Sequence, residues 1–348
     1  MRLKTFFISI FVSTCLLFIV AGSSEADSKN KKTLWKVATH APKGISYALY
    51  IEEYVDPLIE RVTEGNVALD WYYGGIMGDD EDWLAKIKIG QLHGAGFDGH
   101  GTKIFCPPMA VLDLPFLFNN VDEVAYVKKK LRPKFNKLFE EQGFVLVLLI
   151  DQGNEGFDEI YSLKRPIRTP EDFAKTRFVT YSGVVEAEIL KALGSSPIPL
   201  NVPEIVASIR SGICDGLIAP AVWYVGAQLY TITKYVTPVR LRYAPGGLTI
   251  ALDAWNKIPE GYQTRLMEGL LGVEERVNKD GWDSSKKCYK AMVKYGLKEV
   301  RLTPDEIEVL KKKTRPVWDK LAGKEFPREL LDEVIGYLDE YRSREVKR

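Results

Sequence analysis

Histidine is scarce, with three residues in the whole chain, and no G-x-S-x-G occurs in it. The usual bases and nucleophiles of hydrolytic catalysis therefore have few places to come from. Cysteine is almost as sparse. Of four residues, Cys15 lies in an N-terminal apolar run, leaving Cys106, Cys214 and Cys288. That odd set cannot all pair, and its spacings match no zinc pattern. Cys214, in an apolar stretch, reads as a buried free thiol. An excess of either charge is also lacking: 48 Lys and Arg against 47 Asp and Glu give a net +1. This supplies no electrostatic footprint for nucleic acid or an anionic membrane. Internal repeats, low-complexity segments and a second long apolar run are absent as well.

Two local patterns suggest chemistry and then fail on context. Gly94 to Gly99 satisfies G-x-G-x-x-G after a strand, but Pro107-Pro108 follows too soon for the helix a dinucleotide site needs. His93, Asp98 and His100 share one turn with no second ligand cluster nearby. Neither catalysis nor a cofactor or metal is expected, and glycines that let backbone approach a ligand explain the same stretch.

What is present begins with an export signal. Arg2 and Lys4 precede an apolar run from Phe6 to Ala21, followed by small residues to Ala26. Residues 1–26 read as a secretory signal peptide. The alternative is an uncleaved anchor, because the run approaches the length of about 20 residues that a span needs. Beyond it the composition is that of an ordinary globular protein, 46% hydrophobic and 27% charged, over a length that suits two domains.

Alternation over Thr33 to His40 and Val67 to Tyr73 predicts strands. An apolar stripe over Ser46 to Glu64 predicts a helix interrupted at Pro57. Asp82 to Ile89 reads as a short helix, Gly94 to Phe97 as a strand entering a Gly99-His100-Gly101 corner, and Val121 to Gln142 as an amphipathic helix. Phe144 to Ile150 is apolar enough to predict a central strand covered on both faces. In Trp71-Tyr72-Tyr73 at most alternate residues share a face, and core packing is the expected role. Pro259 to Tyr295 is a long helical pattern with a break or kink expected at Gly281. A Thr303-Pro304-Asp305-Glu306 capping box opens a helix expected to run to Leu321, and Leu330 to Tyr341 is the last helix.

Lys164 to Trp223 carries the densest signals. Thr169 is an N-cap with Pro170 in the first helical position and Asp172 at the capping-box place. Helices over Val184 to Leu193 and Pro203 to Arg210 stop at Gly194 and Gly212. The apolar run Ile213 to Ala219 then reads as a buried strand ending at Pro220. Helix alternating with short strand predicts a lobe built on a parallel sheet.

The string K-R-P-I-R-T-P-E-D-F at Lys164 to Phe173, with K-A-L-G at Lys191 to Gly194, resembles the DctP-like periplasmic solute-binding proteins of TRAP transporters. An A-T-x-x-P at Ala38 to Pro42, D-L-P-F-L-F at Asp113 to Phe118, K-Y-V-T from Lys234 and W-N-K-I-P from Trp255 follow in the family's order. The resemblance implies an α/β, two-lobed periplasmic binding-protein fold, type II-like, with an inter-lobe cleft and hinge strands. Residues 33–155 and 245–295 are assigned to lobe I, and 156–244 and 296–348 to lobe II with the C-terminal helices. It implies a periplasmic protein that captures a small molecule and delivers it to TRAP-type permease subunits. The alternative is a sensory or scaffold protein that signals to a membrane receptor or to a periplasmic helical partner.

Ligands of open α/β sheets bind beyond the carboxyl ends of strands. The expected cleft walls are therefore His40, Phe97, Asp98, His100, Phe157, Asp158, Val179, Tyr181, Ala219, Trp223 and Tyr224. The family's ligand-clamping arginine, in an I-R-V strand, corresponds to Val179, with Arg177 two residues away as the candidate substitute. A second family arginine corresponds to Asp158, and the family's Q-E-N turn is replaced by Leu217-Ile218-Ala219. A small carboxylate closed into a cleft without a cation would suffer several kcal/mol of desolvation. The expectation is an apolar, amphipathic or amine-bearing ligand rather than a simple dicarboxylate, with Asp158 or Asp98 accepting its hydrogen bonds.

Overall fold

The computed structural model describes residues 32–151 and 153–345. The signal-peptide segment 1–26 lies outside them. Eleven strands occur in chain order among the described residues: β1 Thr33–Thr39, β2 Val67–Tyr72, β3 Gly94–Phe97, β4 Phe144–Asp151, β5 Glu159–Ser162, β6 Val179–Thr180, β7 Ile198–Pro199, β8 Gly216–Ala219, β9 Tyr235–Thr237, β10 Pro245–Ala251 and β11 Lys298–Glu299. They form a five-stranded sheet ordered β2-β1-β3-β10-β4, a four-stranded sheet ordered β11-β9-β5-β8, and the pair β6-β7. The two larger sheets are the centres of the two lobes. The chain crosses between them after β4, before β10 and again between β10 and β11.

The first sheet is parallel except for β10, which runs antiparallel to both β3 and β4. The second is not the expected parallel sheet, because β5 runs against both β8 and β9. A parallel neighbour needs a crossover within the same sheet. β5 and β10 arrive from the other lobe instead, and each enters its sheet in the reverse direction.

β4 is an edge strand, not the predicted central one. Its apolar character has another cause: helices Val121–Glu141 and Glu260–Tyr295 pack against it. Side chains meet its unpaired backbone groups. Glu274 accepts from the Leu149 N–H at 2.7 Å, Asn278 accepts from Asp151 N–H at 2.9 Å and donates to Leu149 O at 3.0 Å. An edge that would otherwise template aggregation is thus closed by the long helix.

Proline and glycine decide the helix boundaries. Pro57 cannot donate to the preceding turn, and the predicted helix becomes Ser46–Tyr50, a π-helical turn Ile51–Val55 and Asp56–Val62. Pro316 likewise splits the 303–321 helix into Pro304–Thr314 and Pro316–Leu321. Gly281 does the opposite of what its sequence suggests. Helix Glu260–Tyr295 runs unbroken for 36 residues, and a Cβ at Gly281 would lie 2.4 Å from the Tyr47 ring. The glycine receives a ring rather than bending the helix. The Thr169/Asp172 and Thr303/Glu306 capping boxes are both formed.

The last helix, Arg328–Glu345, packs on helix Val121–Glu141 beside the first sheet. Arg342 forks onto Glu123 with two contacts of 2.8 Å, and Leu330, Leu331, Val334 and Leu338 are buried beneath it. Cys106, Cys214 and Cys288 are free thiols.

Candidate functional site

A mostly enclosed cavity lies at the carboxyl ends of β1 and β3. From the first lobe come Thr39 and His40 after β1, Tyr47 and Ile51 from the broken helix, Trp71 and Tyr73 around the end of β2, and Phe97, Asp98 and Gly99 around the end of β3. The crossing segments add Asp158, Ala244 and Gly247. The second lobe adds Tyr181, Ser182, Pro220 and Trp223. The void of about 70 Å³ holds a few water molecules' worth of space or one small solute. Among the described residues, no lysine or arginine lines it.

Gly99-His100-Gly101 is the first turn of helix Gly99–Phe105, not an open corner. The glycines allow protein to approach protein: a Cβ at Gly99 would lie 1.6 Å from Ser182 Oγ, and one at Gly101 would lie 2.4 Å from Asp80 Oδ1. Gly99 and Ser182 thus mark where the two lobes touch. Gly94, the first glycine of the dinucleotide-like string, lets β3 lie close to β10, since a Cβ there would be 2.4 Å from Thr249 O.

Of the sequence-predicted residues, His40, Phe97, Asp98, Asp158, Tyr181 and Trp223 line this cavity. The other six do not. His100 turns to Glu81, with Nε2 2.8 Å from its carboxylate, on an adjoining cavity at the mouth. Phe157 points away, edge-on to Tyr243, into a separate cavity with Phe116 and Phe118. Arg177 cannot substitute for the missing clamp, because its guanidinium forks onto Asp215 at 2.8 and 3.2 Å. Val179 and Ala219 are fully buried within the second lobe. Tyr224 stacks on Tyr161 at 3.7 Å, since one helical step carries it from Trp223's face into the core.

Trp71 and Tyr73, expected in the core, are cleft residues. Separated by two on an extended strand, they share a face and stack at 5.9 Å. Tyr72 takes the other face and packs on the core. The alternation was visible in the sequence; which face looked into the cleft was not.

The larger correction concerns charge. Asp158 has a cation beside it, Arg242, which no sequence pattern singled out. Arg242 is 2% exposed and donates to Asp113 at 2.6 Å and to Asp158 and Glu186 at 3.4 Å each. Burial opposes its charge, but Asp113, Glu186 and Asp158 hold it protonated above the ordinary arginine range. Glu186 also accepts, through its other oxygen, from the N–H groups of Tyr181 and Ser182, which fixes the second-lobe wall of the cavity.

One guanidinium does not balance three carboxyls. Burial pushes Asp158 up to about 7, helped by Glu186 and Asp98 and opposed by Arg242. Asp113 is pushed up to about 7 for the same first reason. Asp98 rises to about 6 through burial and its neighbour Asp80, against the pull of His40, His100 and Arg242. His40 pairs with Asp80 at 3.4 Å; burial works against its charge, but the hydrogen bond and the charge of Asp80 raise its pKa overall. Asp98 Oδ1, Asp158 Oδ1 and His40 Nδ1 are buried without a hydrogen-bond partner. Buried polar atoms are costly unless satisfied, and these three belong to residues that line the cavity. Among the described residues, no group of three His, Cys, Asp or Glu side chains is placed to hold a metal ion.

The DctP family, bacterial extracellular solute-binding protein family 7, matches residues 38–325. The chain is 22% identical over 308 residues to a solute-binding protein of Chromohalobacter salexigens, covering 87% of each. It is 23% identical over 246 residues to the ectoine-binding periplasmic protein TeaA of Halomonas elongata, covering 68% of this chain and 67% of that one. Its fold matches that of the sugar acid binding protein DctPAm of Advenella mimigardefordensis in complex with galactonate, with a TM-score of 0.82, 16% identity, and coverage of 89% of this chain and 99% of that one.

Proposed function

Because the chain belongs to the DctP family of bacterial extracellular solute-binding proteins, we propose that it captures a small solute in the inter-lobe cavity outside the cytoplasm and hands it to a TRAP-type permease. Binding works without turnover. The lobes close about the crossing segments, and the free energy of ligand contact favours the closed form. No described helix is long and apolar enough to cross a membrane, so the permease is the transmembrane partner in this reading.

The observation that carries the ligand reading is a cavity with unpartnered carboxylate oxygens, aromatic walls and no lysine or arginine among its described lining residues. It favours a ligand that brings hydrogen-bond donors over a simple dicarboxylate. The relative that holds galactonate binds an acid, which makes an acid the competing outcome. An acid would add a negative charge beside Asp98, Asp158 and Glu186. Nothing in the geometry favours the sensory or scaffold role.

The test is native mass spectrometry of protein purified from a periplasmic extract, followed by extraction and identification of what co-purifies. A donor-rich small molecule, lost in Asp158→Ala or Trp223→Ala, supports the reading. A tightly held dicarboxylate would reject the ligand class and leave capture standing.

A further inference from the structure

We propose that the solute is a small organic cation, held by its positive nitrogen between the Asp98 and Asp158 carboxyls and the faces of Trp71 and Tyr73. The proposal rests on the reading that this cavity captures a solute, and names the class.

Charge is the first argument. Asp80, Asp98, Asp113, Asp158 and Glu186 form one buried group, and the positive charges set against them are Arg242 and, when protonated, His40 and His100. Five carboxyls face at most three cations. An anionic ligand would deepen this imbalance. A neutral polyol would leave it unchanged, and a cation would relieve it. Arg242 is largely committed within the protein, since both its terminal nitrogens already donate to protein carboxylates and only its buried Nε lacks a partner. Asp158, 4% exposed, and His40, 6% exposed, each keep a buried atom without a partner at the cavity.

The aromatic walls are the second, independent argument. Trp71 donates its indole N–H to Asp56 at 3.2 Å, Tyr73 its hydroxyl to Glu52, and Tyr47 its hydroxyl to the Asp151 carbonyl. All three polar hydrogens are committed to partners outside the ligand space. What these rings have left to offer a ligand is their π-faces, the surfaces to which a cation is drawn. The Lys43 ammonium already lies 5.9 Å from the centre of the Tyr73 ring. The carboxyl groups of Glu52 behind Tyr73 and Asp56 behind Trp71 lie on the far side of these rings as hydrogen-bond acceptors.

Proton release gives the experiment its signature. Asp98 faces Asp80, His40, His100 and Arg242, and Asp158 faces Arg242, Glu186 and Asp98. A cation seated between them favours their ionised forms, whereas a neutral ligand does not.

The full chain, stripped of ligand by unfolding and refolding, is titrated calorimetrically at pH 7 with choline, tetramethylammonium and putrescine, and separately with succinate, galactonate and erythritol. Each titration is repeated in two buffers of different ionisation enthalpy. At least one cation is expected to bind about tenfold or more tighter than every acid, with a buffer-dependent heat that reports proton release. Trp71→Leu is expected to weaken that cation about tenfold through the lost ring face. Asp158→Asn, which removes the group closer to half-protonation at pH 7, should remove most of the buffer dependence, and a thermal melt verifies that each variant is folded. Tightest binding of succinate, galactonate or erythritol would overturn the cation proposal while upholding solute capture. So would cation binding that Asp158→Asn leaves unchanged. If no compound of either set binds and none co-purifies with the unstripped protein, solute capture itself falls.

Discussion

Replacing Arg242 by methionine tests whether the buried carboxyls are held by charge or only by packing. The side-chain volume is largely kept, but Asp113, Asp158 and Glu186 lose the one cation they share. Removing one partner from a buried ionic cluster costs roughly 3–5 kcal/mol when the remaining charges stay ionised. The pH decides whether they do. Asp113 and Asp158 are raised from 3.8 to about 7 in the folded protein. For an acid raised on folding, the native state binds the extra proton, so its contribution to stability is fully present below the unfolded value and is lost as pH climbs through the folded one. The wild-type protein is therefore expected to lose stability from this cluster between about pH 4 and just above pH 7. In Arg242→Met the folded values move higher still. The carboxyls then stay protonated and neutral at pH 5, and the deficit there is small. At pH 8 the full cost is expected, a fall in Tm of about 6–10 °C at roughly 2 °C per kcal/mol for a chain of this size. Thermal melts of both proteins at pH 5 and pH 8 measure it. Equal deficits at the two pH values would refute the reasoning and assign Arg242 a packing role.

Gly99→Ala is expected to hold the lobes apart, because its Cβ would fall 1.6 Å from Ser182 Oγ; small-angle scattering should show a larger radius of gyration, and Ser182→Gly in the same chain should restore the wild-type value. Gly281→Ala gains about 1 kcal/mol of helix propensity but overpacks against the Tyr47 ring by about 1–3 kcal/mol, so chemical denaturation should find it less stable than the parent, and a gain would show that Tyr47 moves freely. Phe139→Ala removes the fully buried ring that lies 5.7 Å from Phe97; it is expected to cost about 3–5 kcal/mol in urea denaturation and to loosen the cleft ring above it.

Local chemistry was legible in the chain wherever one turn or one strand decides it. The capping boxes at Thr169 and Thr303, the strand ends at His40 and Asp98, and the helix starts after Asn120 and Thr303 all depend on residues within a few positions of each other. Reading failed where partners lie far apart. Phe144 to Ile150 looked like a central strand because hydropathy registers burial, not neighbours, and helix Glu260–Tyr295 closes its edge from more than 120 residues away. Gly281 looked like a break because its partner, Tyr47, lies 234 positions earlier.

Arg242 makes the same point for function. Its carboxylate partners lie 129, 84 and 56 residues away, and matching positions one at a time against a family pattern put valine and aspartate where cations were expected. That comparison looked for a cation only at Val179 and Asp158, whereas one is present beside Asp158, carried by the crossing segment before β10. Arg242 sits among three carboxyls with both terminal nitrogens engaged and Nε without a partner, so most of its charge is set against the protein's own carboxyls. The preference of such a cleft is set by the sum of its buried charges. A substitution at Asp113 or Glu186, neither of which lines the cavity, should therefore shift ligand preference as much as one at Asp158, which does.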